Sequence, residues 1–303
     1  MAIPADVDAV ELFELELSLP DPTIAAMAKR LVGFEERYEK LRRDLRLLAD
    51  PDELRAWSKR FFHKELPLCA AVTDRYPLVV FAGDVGTGKT ATAEAACDRL
   101  AREAKQEAML FKLSTRVRGS GKVGQMSSLI NQAFEAVAKQ AGKKRHSFLM
   151  IDEADSLAAT REGAQSHHED KVAVNTIIQK VDDLRRHGGR IVVFLCTNRA
   201  ASLDPAVVRR AARIEYFERP DEREREELFR MDLEGLSLTD DVIHQLVRLT
   251  GSRNGHPGFT FSDLRSKLLP TALCRAFPSR ALTGDDLVEA AQEVQPSPHM
   301  KDA

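Results

Sequence analysis

The sequence predicts an α/β fold, a five-stranded parallel sheet flanked by helices, followed by a small all-helical domain. Short runs of consecutive Val, Ile, Leu and Phe recur at 78–83, 109–113, 148–152 and 191–197, with a fifth strand expected at 213–217. Apolar runs without alternation suit parallel strands covered on both faces. Segments of helical character separate them near 90–105, 125–140 and 171–186, which gives the βαβα order of a parallel sheet. After Pro220 the remaining segments read as helices set off by capping signals, Thr239-Asp240-Asp241 before one and Thr283 before another.

Upstream of the first strand, Ile24, Met27 and Leu31, then Leu41, Leu45 and Leu48, fall at helical spacing, broken by Gly33 and by the Asp50-Pro51-Asp52 turn. Two or three helices therefore lead into the sheet. The expected organisation is an N-terminal extension over 1–23, a large α/β domain over 24–219, a helical domain over 220–295 and a disordered tail over 296–303. A flexible loop is expected at 251–258.

The 303 residues allow one large core or two modest ones. Charged residues are 30% of the chain but nearly balanced, with a formal net charge of -2, so a large basic surface for nucleic acid is not expected. The four cysteines, Cys69, Cys97, Cys196 and Cys274, lack the paired spacing of a zinc or redox site and read as reduced thiols. The N-terminus is acidic where a signal peptide is basic, and no apolar run approaches the roughly 20 residues of a membrane span. A cytoplasmic location is expected.

Gly83-Asp84-Val85-Gly86-Thr87-Gly88-Lys89-Thr90 fits G-x-x-x-x-G-K-[ST] at every fixed position and lies between an apolar strand and a helix. Glycines let the loop wrap closely enough for main-chain N–H groups to point at phosphate oxygens, and the helix N-terminus adds its dipole. Lys89 would neutralise the β- and γ-phosphates of ATP, and the Thr90 hydroxyl would hold Mg²⁺. The strand ending at Asp152-Glu153 carries two acids where ligands of open α/β sheets bind. Asp152 is expected to coordinate Mg²⁺ and Glu153 to activate the attacking water.

Asn198, just past the strand at 191–197, could orient the same water; Asn is equally common as a plain turn residue after strands. Arg209, Arg210 and Arg213 end a short helix begun at Asp204-Pro205. One of them could serve a neighbouring subunit as an arginine finger, or the three could form a solvated basic face. His167-His168-Glu169-Asp170 reads as a polar loop rather than a metal site.

GDVGTGKT, FLMIDEAD, LCTN and LDPAVVRR, in that order, resemble the two Walker motifs, sensor one and the arginine-finger segment of AAA+ ATPases, and LVGFEERYEKL resembles their adenine-packing segment. The likeness covers about residues 24 to 290. It implies a P-loop AAA+ module followed by a lid, with Val32 and Gly33 at the adenine and Arg209 or Arg210 as the finger. SGK at 120–122, SLAATREG and KVAVNTIIQKVDDLRRHGGRIVVFLCTN are closer to the pachytene-checkpoint branch, whose hexamers remodel HORMA-domain proteins. That branch implies a first pore loop at Arg116, Val117, Arg118 and Gly119 and a second over about 159–170.

By the same likeness, bacterial members sit in anti-phage operons with a cyclic-oligonucleotide synthase. Stripping a HORMA protein from the synthase would there switch signalling off. The chain departs from the pattern in three ways. Only some twenty residues precede the first helix, where eukaryotic members carry an adaptor-binding domain; the pore loop offers Val117 and two cations in place of aromatics; and Arg265 is the candidate for sensor two. A DNA-directed AAA+ protein, clamp loader or initiator, would add a DNA-binding module or basic face, and a small-molecule kinase would add an acceptor site. Neither is recognisable in the sequence.

Overall fold

The computed structural model describes residues 12–49, 51–73, 75–114, 125–142, 145–153, 167–199, 204–253 and 255–299. A six-stranded sheet organises the large domain: β1 (Phe13–Leu19), β2 (Leu78–Gly83), β3 (Ala108–Leu113), β4 (His146–Ile151), β5 (Ile191–Thr197) and β6 (Arg213–Phe217), in the order β1-β3-β4-β5-β2-β6. β2 to β6 pair in parallel, as expected for the five strands. The count of five is corrected to six, because β1 adds to the edge antiparallel to β3. Its sequence, FELELSL, alternates apolar and polar residues and its burial follows that period. This is what an edge strand with one covered face requires.

The parallel strands show why their apolar runs are continuous. Val79, Phe81, Phe148, Met150, Phe194 and Cys196 face one layer, with residues of α1 (Pro22–Ala28), α2 (Phe34–Ala49) and α5 (Lys89–Ala104). Val80, Ala82, Leu149, Ile151, Val193 and Leu195 face the other, with α6 (Gln125–Ala141) and α7 (His167–Leu184). Alternate side chains thus fill opposite cores. Two further helices, α3 (Pro51–Phe62) and α4 (Pro67–Thr73), precede β2, and α8 (Pro205–Arg210) precedes β6.

A third core belongs to the helical lid: α9 (Glu222–Asp232), α10 (Asp240–Leu249), α11 and α12 (Gly284–Glu293). α11 runs from Phe261–Asp263 through a π turn, Leu264–Leu268, into Leu269–Ala276. Pro270 explains the widened turn, since its ring has no N–H and would meet the carbonyl four residues back. Capping boxes at Asp221, Thr260 and Thr283 start three of these helices. Val32 of the large domain is buried in this lid core.

Candidate nucleotide site

The site forms where β2, β4 and β5, neighbours in the sheet, end on the same side. β2 ends at Gly83, and α5 begins at Lys89 after the loop. Two glycines are required by contact. A Cβ on Gly83 would lie 2.0 Å from the carbonyl oxygen of Phe217, and one on Gly86 would lie 2.7 Å from Ser262 Cβ, at a φ of +75°. Within the loop, Thr87 Oγ1 donates to the Asp84 carbonyl at 2.8 Å. Lys89 is only 6% exposed, and its Nζ donates to the carbonyls of Gly83 and Asp84 at 3.0 and 2.7 Å. A buried ammonium lying along the loop is where a polyphosphate would meet it.

β4 delivers the acid pair. Thr90 Oγ1, in the first turn of α5, donates to Asp152 Oδ2 at 2.8 Å, and Asp152 Oδ1 accepts from the Glu153 N–H at 2.9 Å. Glu153 has φ +49°, a left-handed conformation that is uncommon and costly for a residue with a side chain. The turn leaves its side chain exposed at the strand tip. Asn198 follows β5 directly and is half-buried at the same end of the sheet. Thr90 and Asp152 suit Mg²⁺, which takes a hydroxyl, a carboxylate and phosphate oxygens. Among the described residues no group of three or more His, Cys, Asp or Glu gathers as an all-protein metal cage.

Val32 is buried and Gly33 has φ +69°, with Glu224 Oε1 of α9 placed 3.2 Å from where a Cβ would be. Arg37 ties the same Glu224 at 2.9 Å, so this segment lies against the first lid helix. Val85 is exposed at the loop's crest. The other face of the loop is gripped by the lid. Ser262 N–H donates to the Gly86 carbonyl at 3.1 Å, and Thr260 Oγ1 lies beside Gly86.

Arg219 completes that grip. Its Nε donates to Asp84 Oδ2 at 2.7 Å, its second terminal nitrogen stands 2.6 Å from the same oxygen, and its first donates to the carbonyls of Gly258 and Ser297 at 2.6 and 2.8 Å. Burial pushes the Asp84 carboxyl up, but Arg219, with the Val85 N–H and His299, outweighs it and holds the group below the usual carboxylate range. Ser297 and His299, in the stretch expected as a disordered tail, make defined contacts: Ser297 with Asp263, and His299 Nδ1 with Asp84 Oδ2 at 3.0 Å.

The two finger candidates differ. Arg210 is engaged twice with Asp182, at 2.6 and 3.0 Å, and lies over the Tyr76 ring, whereas Arg209 is exposed. Arg213 pairs with Glu215 and Asp44. Arg265, the candidate for sensor two, is committed to Asp232 within the lid at 2.5 and 3.1 Å, and it is Thr260 and Ser262 that approach the loop instead. Both pore loops, Arg116 to Gly119 and most of 159–170, lie outside the described residues. Sequence reasoning passed over Arg219, Thr260 and Ser262, although T-F-S-D at 260–263 carries a capping-box spacing that marks a helix start.

A phosphate loop facing strand-tip acids beneath a helical lid defines a P-loop nucleotide hydrolase. Residues 79–219 match the ATPase family associated with various cellular activities (AAA). CD-NTase-associated protein 6 of Escherichia coli strain KTE188 is 52% identical over 292 residues, 96% of this chain and 98% of that protein. The protein of the same name in Escherichia coli strain MS 115-1 is 39% identical over 297 residues, covering 95% and 96% of the two chains. The chain belongs to the AAA ATPases and, within them, to the family of CD-NTase-associated protein 6; it is a nucleotide-binding ATPase.

Among solved structures, the Escherichia coli MS115-1 HORMA:CdnC:Trip13 complex contains a chain superposing with a TM-score of 0.88 at 39% identity, over 96% of this chain and 98% of that one. Rhizobiales Trip13 superposes at 0.72 with 34% identity, over 94% and 99%. No helix among the described residues is long and apolar enough to cross a membrane.

Proposed function

We propose that this chain is a cytoplasmic, Mg²⁺-dependent ATPase that assembles as a homo-hexamer, engages HORMA-domain proteins through its central pore and partly unfolds them. It thereby takes apart complexes of a HORMA protein with a cyclic-oligonucleotide synthase and restrains anti-phage signalling. The observation that carries this reading is the end-to-end likeness to a chain solved together with HORMA and CdnC partners. The near-neutral balance of charge, -2 over the chain, agrees with a protein substrate better than with nucleic acid.

In this mechanism Lys89 and the loop amides hold the triphosphate, and Thr90 with Asp152 holds Mg²⁺. When bound, the metal offsets charge on the β- and γ-phosphate oxygens. Glu153 accepts the proton of the attacking water, and Asn198 orients that water. Arg209 serves the neighbouring subunit's γ-phosphate, because it is the exposed member of the pair while Arg210 is engaged with Asp182 and Tyr76. Val32 and Gly33, packed where lid meets sheet, line the adenine side. The pore loops, Arg116 to Gly119 in the first, grip the substrate.

The test uses the full chain. With ATP and Mg²⁺, wild type should release a HORMA-domain protein from its synthase complex. The Glu153→Gln variant should bind ATP, fail to turn it over and co-purify with the HORMA protein. Normal ATP binding without HORMA capture or release would reject the substrate assignment.

A further inference from the structure

Between the edge strand β1 and the acid pair lie three charged side chains, Lys112, Glu14 and Glu94, to which the mechanism above gives no role. Lys112, on β3, has its Nζ 2.8 Å from Glu14 Oε1 and 3.5 Å from Asp152 Oδ2. That Asp152 oxygen is the one accepting from Thr90. Glu94, one turn beyond Thr90 on α5, is half-buried, and burial together with Asp152 and Glu14 pushes its carboxyl up against the pull of Lys112. One ammonium thus stands among three carboxylates. Burial alone would make Lys112 easier to deprotonate, but Glu14, Asp152 and Glu94 outweigh it and keep the side chain cationic.

Glu14 reaches this point through an irregular step. β1 pairs Leu15 with Lys112 and Phe13 with Leu113, and the register slips between Phe13 and Leu15, at Glu14 itself. A bulge of this kind re-aims a side chain, and bulges are enriched beside active sites.

We propose that Lys112 is a positioning residue that sets the affinity of Asp152 for a divalent cation, and that Glu14, presented by the bulged edge strand, holds Lys112 back from that carboxylate. The inference rests on the reading of Asp152 as the Mg²⁺ ligand. A unit charge a few ångströms from the ligand oxygen opposes an incoming cation, and a second carboxylate on the far side of that charge draws it away. Removing the two members of the pair therefore has opposite effects. Loss of Lys112 favours the metal, and loss of Glu14 frees Lys112 to lean on Asp152 and disfavours it.

The experiment is a Mg²⁺ titration of fluorescent ATP-derivative binding to the full chain, read as the Mg²⁺ concentration at half-saturation. Lys112→Met should lower it by about threefold or more, and Glu14→Gln should raise it by a similar factor. Lys112→Arg, which keeps the charge, should stay near wild type. Shifts of the same sign in the first two variants, or none in either, would overturn the inference, since a packing role weakens binding whichever partner is removed. Should Lys112→Met fail to fold, Glu14→Gln decides alone. Asp152→Asn separates the two layers. If it keeps the wild-type Mg²⁺ response, the ligand assignment itself is wrong. If it loses that response while the Glu14 and Lys112 variants behave as wild type, only the inference about Lys112 falls.

Discussion

Replacing Arg219 by Ala should unlatch the lid from the phosphate loop. The side chain is 9% exposed and its partner Asp84 13%, and the same guanidinium also holds the carbonyls of Gly258 and Ser297. Truncation leaves a largely buried carboxylate with the Val85 N–H and His299 as its remaining contacts among the described residues. Breaking a buried pair costs about 3–5 kcal/mol, and the residual exposure here argues for the lower end, about 3 kcal/mol. For a chain of this size about 2–4 °C of Tm is lost per kcal/mol, so the expected drop is roughly 6–12 °C by circular dichroism. Arg219→Lys should lie between, because an ammonium can meet Asp84 but cannot span three acceptors at once. A variant melting within about 2 °C of wild type would refute the latch.

Glu153→Gln should lower ATP turnover by about 100-fold or more while leaving nucleotide affinity unchanged, measured by phosphate release and equilibrium binding. Arg209→Ala should lower turnover by on the order of 10³ and be rescued in mixed rings with Glu153→Gln subunits that supply the arginine. Arg210→Ala should instead cost about 1 kcal/mol of stability, since its pair with Asp182 is partly exposed. Gly86→Ala places a Cβ 2.7 Å from Ser262 at positive φ and should weaken ATP binding by about tenfold or more, read by titration. Asp263, held far below the usual carboxylate range by Lys267, Ser297 and Thr260 against the opposing effect of burial, stabilises the lid above the unfolded pKa of about 3.9 and ceases to as pH falls through its lower folded value. Asp263→Asn should therefore melt earlier at pH 7, and the gap should narrow below about pH 4.

What could be read in the chain follows from how local each signal is. The central strands β2, β4 and β5 were the most legible because their two faces fill opposite cores, so their apolar runs are nearly continuous, whereas β6, RIEYF, is only partly covered and is marked by its position after the helix at 205–210. β1 carries an equally regular signal, period two in FELELSL, but its antiparallel partner β3 lies far along the chain, and no local pattern joins the two. The phosphate loop and acid pair are legible because close main-chain approach restricts residue choice at fixed spacing. The grip on that loop is different in kind. Arg219 meets Asp84 across 135 positions and Lys112 meets Glu14 across 98, taking the difference of their numbers, and no local pattern joins such pairs. Arg265 is expected near the nucleotide from the family pattern, but the buried carboxylate of Asp232, at the end of α9, pairs with it inside the lid. Among the arginines near the end of α8, Arg210 and Arg213 are each paired with a carboxylate nearby in space while Arg209 is exposed, and it is this difference in partners, invisible in the sequence, on which the proposed finger role of Arg209 rests.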